Sequence, residues 1–158
     1  MKIVIDTREQ APFGFSGEQY RGTEIAFGTL DTGDYSLAGL TDKVAVERKA
    51  LPDLVACLGR ERERFERELV RARALECFAV VVEGTWEELA RGQYRGKLNP
   101  AAACQSVCAF MARLKVPFLF AGSRPAAEYV CFSLLRQYLK GVQDRYRALV
   151  RAHGEEVA

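Results

Sequence analysis

Short apolar runs alternate with polar, glycine-containing segments in the first half of this chain, and the runs have the length of strands. The clearest are Ile-Val-Ile at 3–5 and Phe-Ala-Val-Val-Val at 78–82, each bounded by polar residues. Turn-forming sequences such as Asp-Thr-Gly-Asp at 31–34 separate the earlier runs. The pattern predicts six strands, at residues 2–6, 24–30, 35–37, 43–49, 78–82 and 116–120. We expect the first four strands to form a β-meander.

Apolar side chains recur at helical spacing between and after the later strands, and residues that favour helix ends flank these stretches. Pro52 suits the first turn of a helix that ends near Gly59, and Asn99 followed by Pro100 suits the start of another. The predicted helices cover residues 52–58, 60–76, 100–113 and the segment that follows Ser123. Strands followed by alternating helices and strands predict an α/β fold with a mixed central sheet flanked by helices.

The composition is that of a soluble globular protein, because 49% of the 158 residues are hydrophobic and 28% are charged. A chain of this length can form one domain with a proper core. No apolar run approaches the roughly 20 residues that span a bilayer. Asp6 and Arg8 interrupt the N-terminal apolar run too early for a secretory signal. We therefore expect a cytoplasmic protein with no membrane segment. The net charge of +2 identifies no binding partner.

Cysteine and histidine are not arranged as ligands of a zinc site. The five cysteines form no Cys-x-x-Cys pair, and we expect Cys104 and Cys108 to be buried free thiols rather than zinc ligands. His153 is the only histidine, which argues against a Ser-His-Asp triad and against a histidine-rich zinc site. A catalytic metal would therefore be a hard cation with oxygen ligands.

The end of the fourth predicted strand carries three consecutive charged residues, Glu47, Arg48 and Lys49. Because side chains alternate along a strand, Glu47 and Lys49 face one side and Arg48 faces the other. Such a carboxylate can hold a divalent cation, while the lysine orients water and offsets charge during phosphodiester hydrolysis. Asp34 and Asp6, each at a strand end, could complete the oxygen shell. Taken singly, these residues are also explained as strand-edge charges or turn residues.

In combination the residues form the pattern GD…ERKxxxD, through Gly33-Asp34, Glu47-Arg48-Lys49 and Asp53. On its own, Asp53 is more typical of a charge at a helix start. The pattern and the opening Val-Ile-Asp-Thr-Arg-Glu at 4–9 resemble the XPF-type nucleases of the PD-(D/E)XK superfamily, in particular their short bacterial and phage versions. The resemblance implies a restriction-endonuclease-like fold and catalytic residues Asp6, Arg8, Asp34, Glu47, Arg48, Lys49 and Asp53, of which Asp6, Asp34 and Glu47 would bind metal.

The resemblance also implies a reaction and its substrate. Related nucleases use Mg²⁺ or Mn²⁺ to cut DNA, and we expect a preference for flaps, forks or other junctions that arise in DNA repair or recombination. The expected nuclease domain covers residues 1–140, and 141–158 form a helical extension or tail. That segment is too short for the tandem helix-hairpin-helix modules of larger relatives, so a homodimer or a partner protein would supply DNA selectivity.

Two basic segments are candidates for DNA contact. At helical spacing, one face of the 60–76 helix collects four arginines. The loop at 91–97 combines cations with an aromatic ring that could stack on an unpaired base. The candidate DNA-binding residues are Arg60, Arg64, Arg67, Arg71, Tyr94, Arg95 and Lys97.

Other interpretations of these features remain open. The arginine face could be a solvated surface with ion pairs, and the loop an ordinary surface loop; the expected pairs are Glu63–Arg67 and Arg64–Glu68. The whole chain could be a non-catalytic DNA-binding or scaffolding subunit that recruits another enzyme, or a restriction-type or RNA-directed nuclease. Intact Asp34, Glu47 and Lys49 favour catalysis, because DNA binding alone does not require carboxylates beside phosphates.

Overall fold

The computed structural model describes residues 1–154, which form a six-stranded sheet flanked by helices. The strands are β1 (Lys2–Asp6), β2 (Glu24–Gly28), β3 (Tyr35–Leu37), β4 (Val44–Ala50), β5 (Cys77–Glu83) and β6 (Phe118–Phe120). The helices are α1 (Leu51–Leu58), α2 (Arg62–Ala72), α3 (Trp86–Arg91), α4 (Pro100–Leu114) and α5 (Arg124–His153). The predicted mixed sheet with flanking helices is confirmed.

The strands lie in the order β2-β1-β3-β4-β5-β6. Strands β4, β5 and β6 are parallel neighbours, whereas β3 is antiparallel to both β1 and β4. The predicted β-meander is wrong, because β2 lies on the outer side of β1 and runs parallel to it. Parallel neighbours require a long connection, and residues 7–23 supply it with a short 3-10 helix at Glu18–Tyr20.

Each face of the sheet has its own apolar core. On one face, α1, α2 and α4 pack over β4 and β5, with Ala45, Phe65, Leu69, Val80, Val82 and Phe110 buried. On the other face, α5 and the aromatic loop before β2 cover β1, β3 and β4, with Ile3, Ile5, Phe13, Tyr35, Val46 and Leu135 buried. The two faces of β4 are therefore packed by different helices, so neighbouring side chains of this strand enter different surroundings.

One helix was absent from the sequence prediction. Helix α3 begins after Thr85, whose side chain accepts a hydrogen bond from the backbone of Glu88, while the Glu88 carboxylate accepts one from the backbone of Thr85. This capping box is a sequence signal for a helix start. The predicted 60–76 helix is shorter than expected, because the chain turns after Gly59 and α2 begins at Arg62.

The cysteines of α4 differ from the prediction. Cys104 is half-buried and Cys108 is exposed, whereas Cys57 and Cys131 are buried. The expectation of two buried thiols on α4 is therefore wrong for Cys108. Cys104 and Cys108 are four residues apart on α4, so their directions around the helix axis differ by about 40°. A narrow apolar stripe therefore includes the first position and not the second.

Helix α5 has 30 residues and continues past Lys140 without interruption. The predicted boundary between residues 140 and 141 therefore falls inside a helix, and the last residues of the predicted tail, 155–158, lie outside the described residues. Within residues 1–154, no helix combines the length and the apolar character that a membrane crossing requires.

Candidate active site

A tight turn before β3 places Asp34 beside β4. Gly33 has a φ of +82°, and a Cβ there would lie 2.9 Å from the Cβ of Ala45 and 3.2 Å from the carbonyl oxygen of Val46, so glycine is required. The backbone N–H of Asp34 donates to the carbonyl of Val46 at 2.9 Å. Its Oδ2 accepts a hydrogen bond from the backbone N–H of Arg48 at 2.8 Å. The Gly-Asp sequence thus fixes this carboxylate against β4.

Glu47 and Lys49 project from β4 toward the face that α2 covers, as the alternation predicts. The Lys49 ammonium donates a hydrogen bond to Oε1 of Glu47 and lies 5.6 Å from the centroid of the Phe65 ring on α2. Glu47 is only 3% exposed. Within residues 1–154 its Oε2 accepts no hydrogen bond, and no fully buried side-chain oxygen lacks a partner. Oε2 therefore faces the adjacent cleft.

The charged forms of Asp34 and Glu47 destabilise each other. Burial raises the pKa of Asp34, and burial together with the charge of Asp34 raises the pKa of Glu47. Burial acts to lower the pKa of Lys49, but attraction to Glu47 outweighs it, so the pKa is raised and Lys49 is an ammonium at neutral pH. Two crowded carboxylates with one ammonium favour the uptake of further positive charge.

Asp6 has different contacts from those that the sequence suggested. Its Oδ1 accepts from the backbone N–H and Nε of Arg8, and its Oδ2 accepts from an Arg8 guanidinium nitrogen and from the backbone N–H of Leu30. Hydrogen bonding to Arg8 lowers the pKa of Asp6 to about 2. In the described part of the chain, no three His, Cys, Asp or Glu side chains are arranged to hold one metal ion. The oxygens of Asp6 are thus engaged by Arg8 and Leu30, and its role as a metal ligand beside Asp34 and Glu47 stays a prediction.

The Arg48 side chain lies on the opposite side of β4, as predicted. It contacts the carboxylate of Glu9 at 3.0 Å and that of Glu83 at 3.1 Å, and the three side chains are between 5% and 13% exposed. Glu83 also contacts Arg124, at the start of α5, at 2.8 Å. Buried charges require such partners. Arg48 therefore connects the segment after β1, strand β5 and helix α5 to the strand that carries Glu47.

A cleft between the sheet and helices α1 and α2 contains the site, and we define it by two adjoining pockets. Both pockets are lined by Arg8, Asp34, Lys49 and Arg64. The pocket toward α1 adds Glu9, Arg48, Asp53 and Arg60. The pocket toward α2 adds Asp6, Glu47, Arg67, Glu68 and Arg71. Every residue that the sequence suggested for catalysis, and each of the four suggested arginines, thus lines one cleft.

Three of the four suggested arginines form ion pairs with nearby glutamates, and one of these pairs is Arg60–Glu61 at 3.6 Å. The predicted pair Glu63–Arg67 is present at 4.0 Å, a loose contact at the surface. The predicted pair Arg64–Glu68 is not formed, because Arg64 instead contacts Glu61, toward the start of the helix. Helical side chains lean toward the N-terminus of the helix, which explains this choice.

The loop that contains Tyr94, Arg95 and Lys97 lies outside the cleft. The Tyr94 hydroxyl donates to the carbonyl of Leu98 at 2.9 Å, and the side chain is half-buried against the core of α1, α2 and α4. Arg95 and Lys97 are exposed. The structure therefore does not bring these three residues to the site that the arginines line, and it engages Tyr94 in packing.

The sequence pattern of the ERCC4 domain matches residues 5–132, which include the whole cleft and all six strands except the first residues of β1. The chain belongs to the ERCC4-domain family. The match ends within α5, before the predicted boundary at residue 140. No curated protein matches the sequence of this ERCC4 domain closely enough to be compared.

Two solved structures share the fold of this ERCC4 domain. XPF from Aeropyrum pernix superposes with a TM-score of 0.70 at 21% sequence identity, over 96% of this chain and 72% of that chain. XPF from Aeropyrum pernix in complex with DNA superposes with a TM-score of 0.66 at 22% identity, over 89% of this chain and 66% of that chain. The XPF-type nuclease fold, a restriction-endonuclease-like α/β fold, is confirmed.

Four acidic residues that line the cleft of this ERCC4 domain were missing from the predicted site, namely Glu9, Asp31, Glu61 and Glu68. Glu9 pairs with Arg48 and lines the cleft; it is the last residue of the Val-Ile-Asp-Thr-Arg-Glu sequence, so a signal for it was present. Glu68 lines the cleft from α2. In the sequence, Glu68 was notable only for its position one helical turn after Arg64, which suggested an Arg64–Glu68 ion pair.

Proposed function

We propose that this protein is a divalent-metal-dependent endonuclease that hydrolyses phosphodiester bonds of DNA. The observation that carries the proposal is the carboxylate pair of half-buried Asp34 and buried Glu47, which lines a cleft together with an ammonium and several guanidinium groups. Such a mixture of charges suits a cation together with a phosphate backbone. One of the two solved structures with this fold, XPF from Aeropyrum pernix, is a complex with DNA, which supports DNA as the polymer that is cut.

Asp34 and Glu47 fit a hard divalent cation, Mg²⁺ or Mn²⁺. Both supply carboxylate oxygens, and burial raises the pKa of each, so a cation in the cleft would stabilise their charged forms. When bound there, the cation would polarise the phosphate and neutralise the charge that develops during displacement. Mg²⁺ is commonly held by one or two carboxylates with water completing its shell, so a third protein ligand is not required.

The chain's own residues would bind and orient the reacting phosphate. Lys49 is held by Glu47 and packs on Phe65. Its remaining N–H groups would donate to the phosphate oxygens and stabilise their negative charge. Arg8 is 68% exposed but is anchored by Asp6, so its guanidinium offers a fixed donor beside Asp34. Arg48 and Asp53 support this geometry from the other pocket, and Arg48 does so by fixing β4.

The arginines of α2 and the preceding turn would contact the phosphates on either side of the cut. Arg64 lines both pockets, Arg60 lies in the pocket toward α1, and Arg67 and Arg71 lie in the pocket toward α2. A strand that passes Lys49 would therefore meet guanidinium groups in both directions. We propose branched DNA, namely flaps, forks or junctions that arise in repair or recombination, as the preferred substrate.

A homodimer or a partner protein is proposed to add DNA selectivity. Along α5, Tyr129 is 55% exposed, Tyr146 62% and Leu149 59%. Contiguous apolar surface is typical of sites that bind another protein, and Tyr129, Val130 and Leu134 line one apolar groove on this helix. Sedimentation of the purified chain at several concentrations tests whether it self-associates.

The proposed activity is tested with labelled flap, fork, linear duplex and single-stranded DNA, and with a matched RNA, each with and without Mn²⁺. We expect Mn²⁺-dependent cuts in branched DNA that disappear in Glu47→Gln and persist in Glu24→Gln, a change at an exposed glutamate on β2. Binding of branched DNA with every strand left whole would instead support a scaffolding subunit. Preferential cutting of the RNA would contradict the proposed substrate.

A further inference from the structure

Glu68 is an acidic residue in the cleft that the proposed chemistry has not used. It lies on α2 between Arg64, Arg67 and Arg71, and it lines the same pocket as Asp34 and Glu47. Within residues 1–154 its carboxylate forms no hydrogen bond and no salt bridge, although three guanidinium groups are nearby in sequence. A solvated helix face would be expected to use it in an i,i+4 ion pair.

The orientation of Glu68 is what distinguishes it from the other acids of α2. Glu63 and Glu66 line a different surface, together with the apolar side chain of Val70. Glu68 is half-buried and faces the pocket that Oε2 of Glu47 also faces. Its charge contributes to the raised pKa values of both Asp34 and Glu47, which places it within electrostatic reach of them.

We propose that Glu68 is the third acidic residue of the cation site and acts through an intervening water rather than by direct ligation. The charge of Asp6 is already paired with the guanidinium of Arg8, and its oxygens also accept from Leu30. Direct ligation does not fit either, since no three acidic side chains of the described chain are close enough to share one ion. A hydrated Mg²⁺ or Mn²⁺ between Asp34 and Glu47 leaves water molecules whose hydrogen atoms need acceptors. Two carboxylates of the same pocket, Asp31 and Glu68, form no hydrogen bond or ion pair in the described chain. Asp31 is exposed, whereas Glu68 is half-buried and its charge acts on both Asp34 and Glu47.

This inference rests on the proposed function only for the presence of a divalent cation, and metal binding tests it without DNA. Mn²⁺ binding to the purified chain is measured by isothermal titration calorimetry for the wild type, Glu68→Gln and Glu66→Gln. Both variants remove one charge from α2, but only Glu68 lines the cleft. Acceptors that contact metal ligands or their waters commonly change metal affinity by about 10- to 100-fold. We expect a loss of that size in Glu68→Gln and unchanged affinity in Glu66→Gln.

A purely structural role for Glu68 is excluded by measuring thermal unfolding without metal. Glu68 has no ion pair to lose, so Glu68→Gln should unfold at the wild-type temperature or above it. Equal Mn²⁺ affinity in the two variants would overturn the inference, and so would a wild-type chain that binds no Mn²⁺. A wild type that binds Mn²⁺ in a Glu68-dependent way but cuts no DNA would support this inference while contradicting the proposed function.

Discussion

At the scale of single residues, the cleft shows how surroundings give three similar carboxylates different properties. Asp6 accepts hydrogen bonds from Arg8 and Leu30, which lower its pKa to about 2. Half-buried Asp34 and buried Glu47 line the same pocket, and their pKa values are raised. The first carboxylate is stably ionised and positions an arginine. The other two favour a proton or a cation, which is the property a metal site needs.

The raised pKa values predict how stability depends on pH. Between the ordinary pKa values of 3.8 for Asp34 and 4.5 for Glu47 and their raised values, the folded chain binds more protons than the unfolded chain. The free energy of unfolding of the metal-free protein should therefore fall as pH rises above about 4.5. Asp6 does not alter this trend, since its contribution is lost only as pH falls below 3.8 toward about 2.

Urea unfolding at a series of pH values measures this trend. Because one pKa unit corresponds to about 1.4 kcal/mol, we expect Asp34→Asn to raise the free energy of unfolding at neutral pH by on the order of 1–3 kcal/mol. It should also flatten the pH dependence. Asp42→Asn, at an exposed aspartate that pairs with Lys43, should leave the pH dependence unchanged. A stability that rises with pH over this range would contradict the electrostatics described for the cleft.

Lys49 gives a second prediction at this scale. Lys49→Met keeps an unbranched side chain on the Phe65 ring but removes the positive charge beside Glu47. Loss of one donor that stabilises a transition state typically costs about 10²- to 10³-fold in rate. We expect a loss of that order in single-turnover cleavage, with DNA affinity changed far less. Lys43→Met, at the half-exposed lysine before β4, serves as the control, and equal rates in the two variants would remove Lys49 from the mechanism.

At the scale of elements, the segment β4-α1-α2 builds most of the cleft. Strand β4 presents Glu47 and Lys49 to the α2 side and Arg48 to the α5 side, because its side chains alternate. Helix α2 buries Phe65 and Leu69 against the sheet and presents its arginines to the cleft. The same helix therefore packs the core beneath the site and supplies the groups proposed to hold DNA.

The arginines of α2 are tested through the salt dependence of DNA binding. Each phosphate contact adds about 0.9 to the slope of the logarithm of the affinity against the logarithm of the salt concentration. Arg64→Gln with Arg67→Gln should weaken binding to a fork and reduce that slope by about 2. Arg73→Gln, at the exposed end of the same helix and outside the cleft, should leave the slope unchanged. Identical salt titrations for all three proteins would show that these arginines do not bind phosphates.

At the scale of the whole molecule, charge is informative through its distribution rather than its sum. The net charge of +2 gives no indication of a nucleic-acid partner. The fold nevertheless collects Arg8, Arg60, Arg64, Arg67 and Arg71 around one cleft, although they come from two separate segments of the sequence. The same cleft also collects eight acidic side chains, among them Asp34 and Glu47, so groups of both signs are concentrated there.

The sequence was sufficient for the parts of this fold that depend on local patterns. Apolar runs located all six strands, and the Gly-Asp and Glu-x-Lys spacings located Asp34, Glu47 and Lys49. The pairing of β2 was wrong, because local pattern does not determine which edge of a sheet a strand joins. The bonding of Asp6 was also missed, since it depends on Leu30, a residue distant in sequence whose backbone the fold brings close.

The same limit explains the errors on the helices. Helical spacing correctly placed Arg64, Arg67 and Arg71 on one side of α2. Arg60 reaches the cleft from the turn before the helix. The partner that an arginine contacts depends on side-chain direction, as Arg64 shows by pairing with Glu61 rather than Glu68. Tyr94 has an aromatic ring and cationic neighbours in sequence, which suggested that it stacks on a base. In the fold its ring packs against the core and its hydroxyl donates to the carbonyl of Leu98. Composition identifies what a segment could bind, and only packing determines which groups remain accessible.

We propose that Asp34 and Glu47, with a divalent cation, cut DNA. The most direct test is the single-turnover cleavage rate of a labelled fork as a function of Mn²⁺ concentration, for the wild type and for the double variant Asp34→Asn, Glu47→Gln. We predict that the wild-type rate saturates with Mn²⁺ and falls to background in EDTA, and that the double variant stays at background at every concentration. Cleavage by the wild type that persists in EDTA, or cleavage by the double variant at the wild-type rate, would contradict the claim.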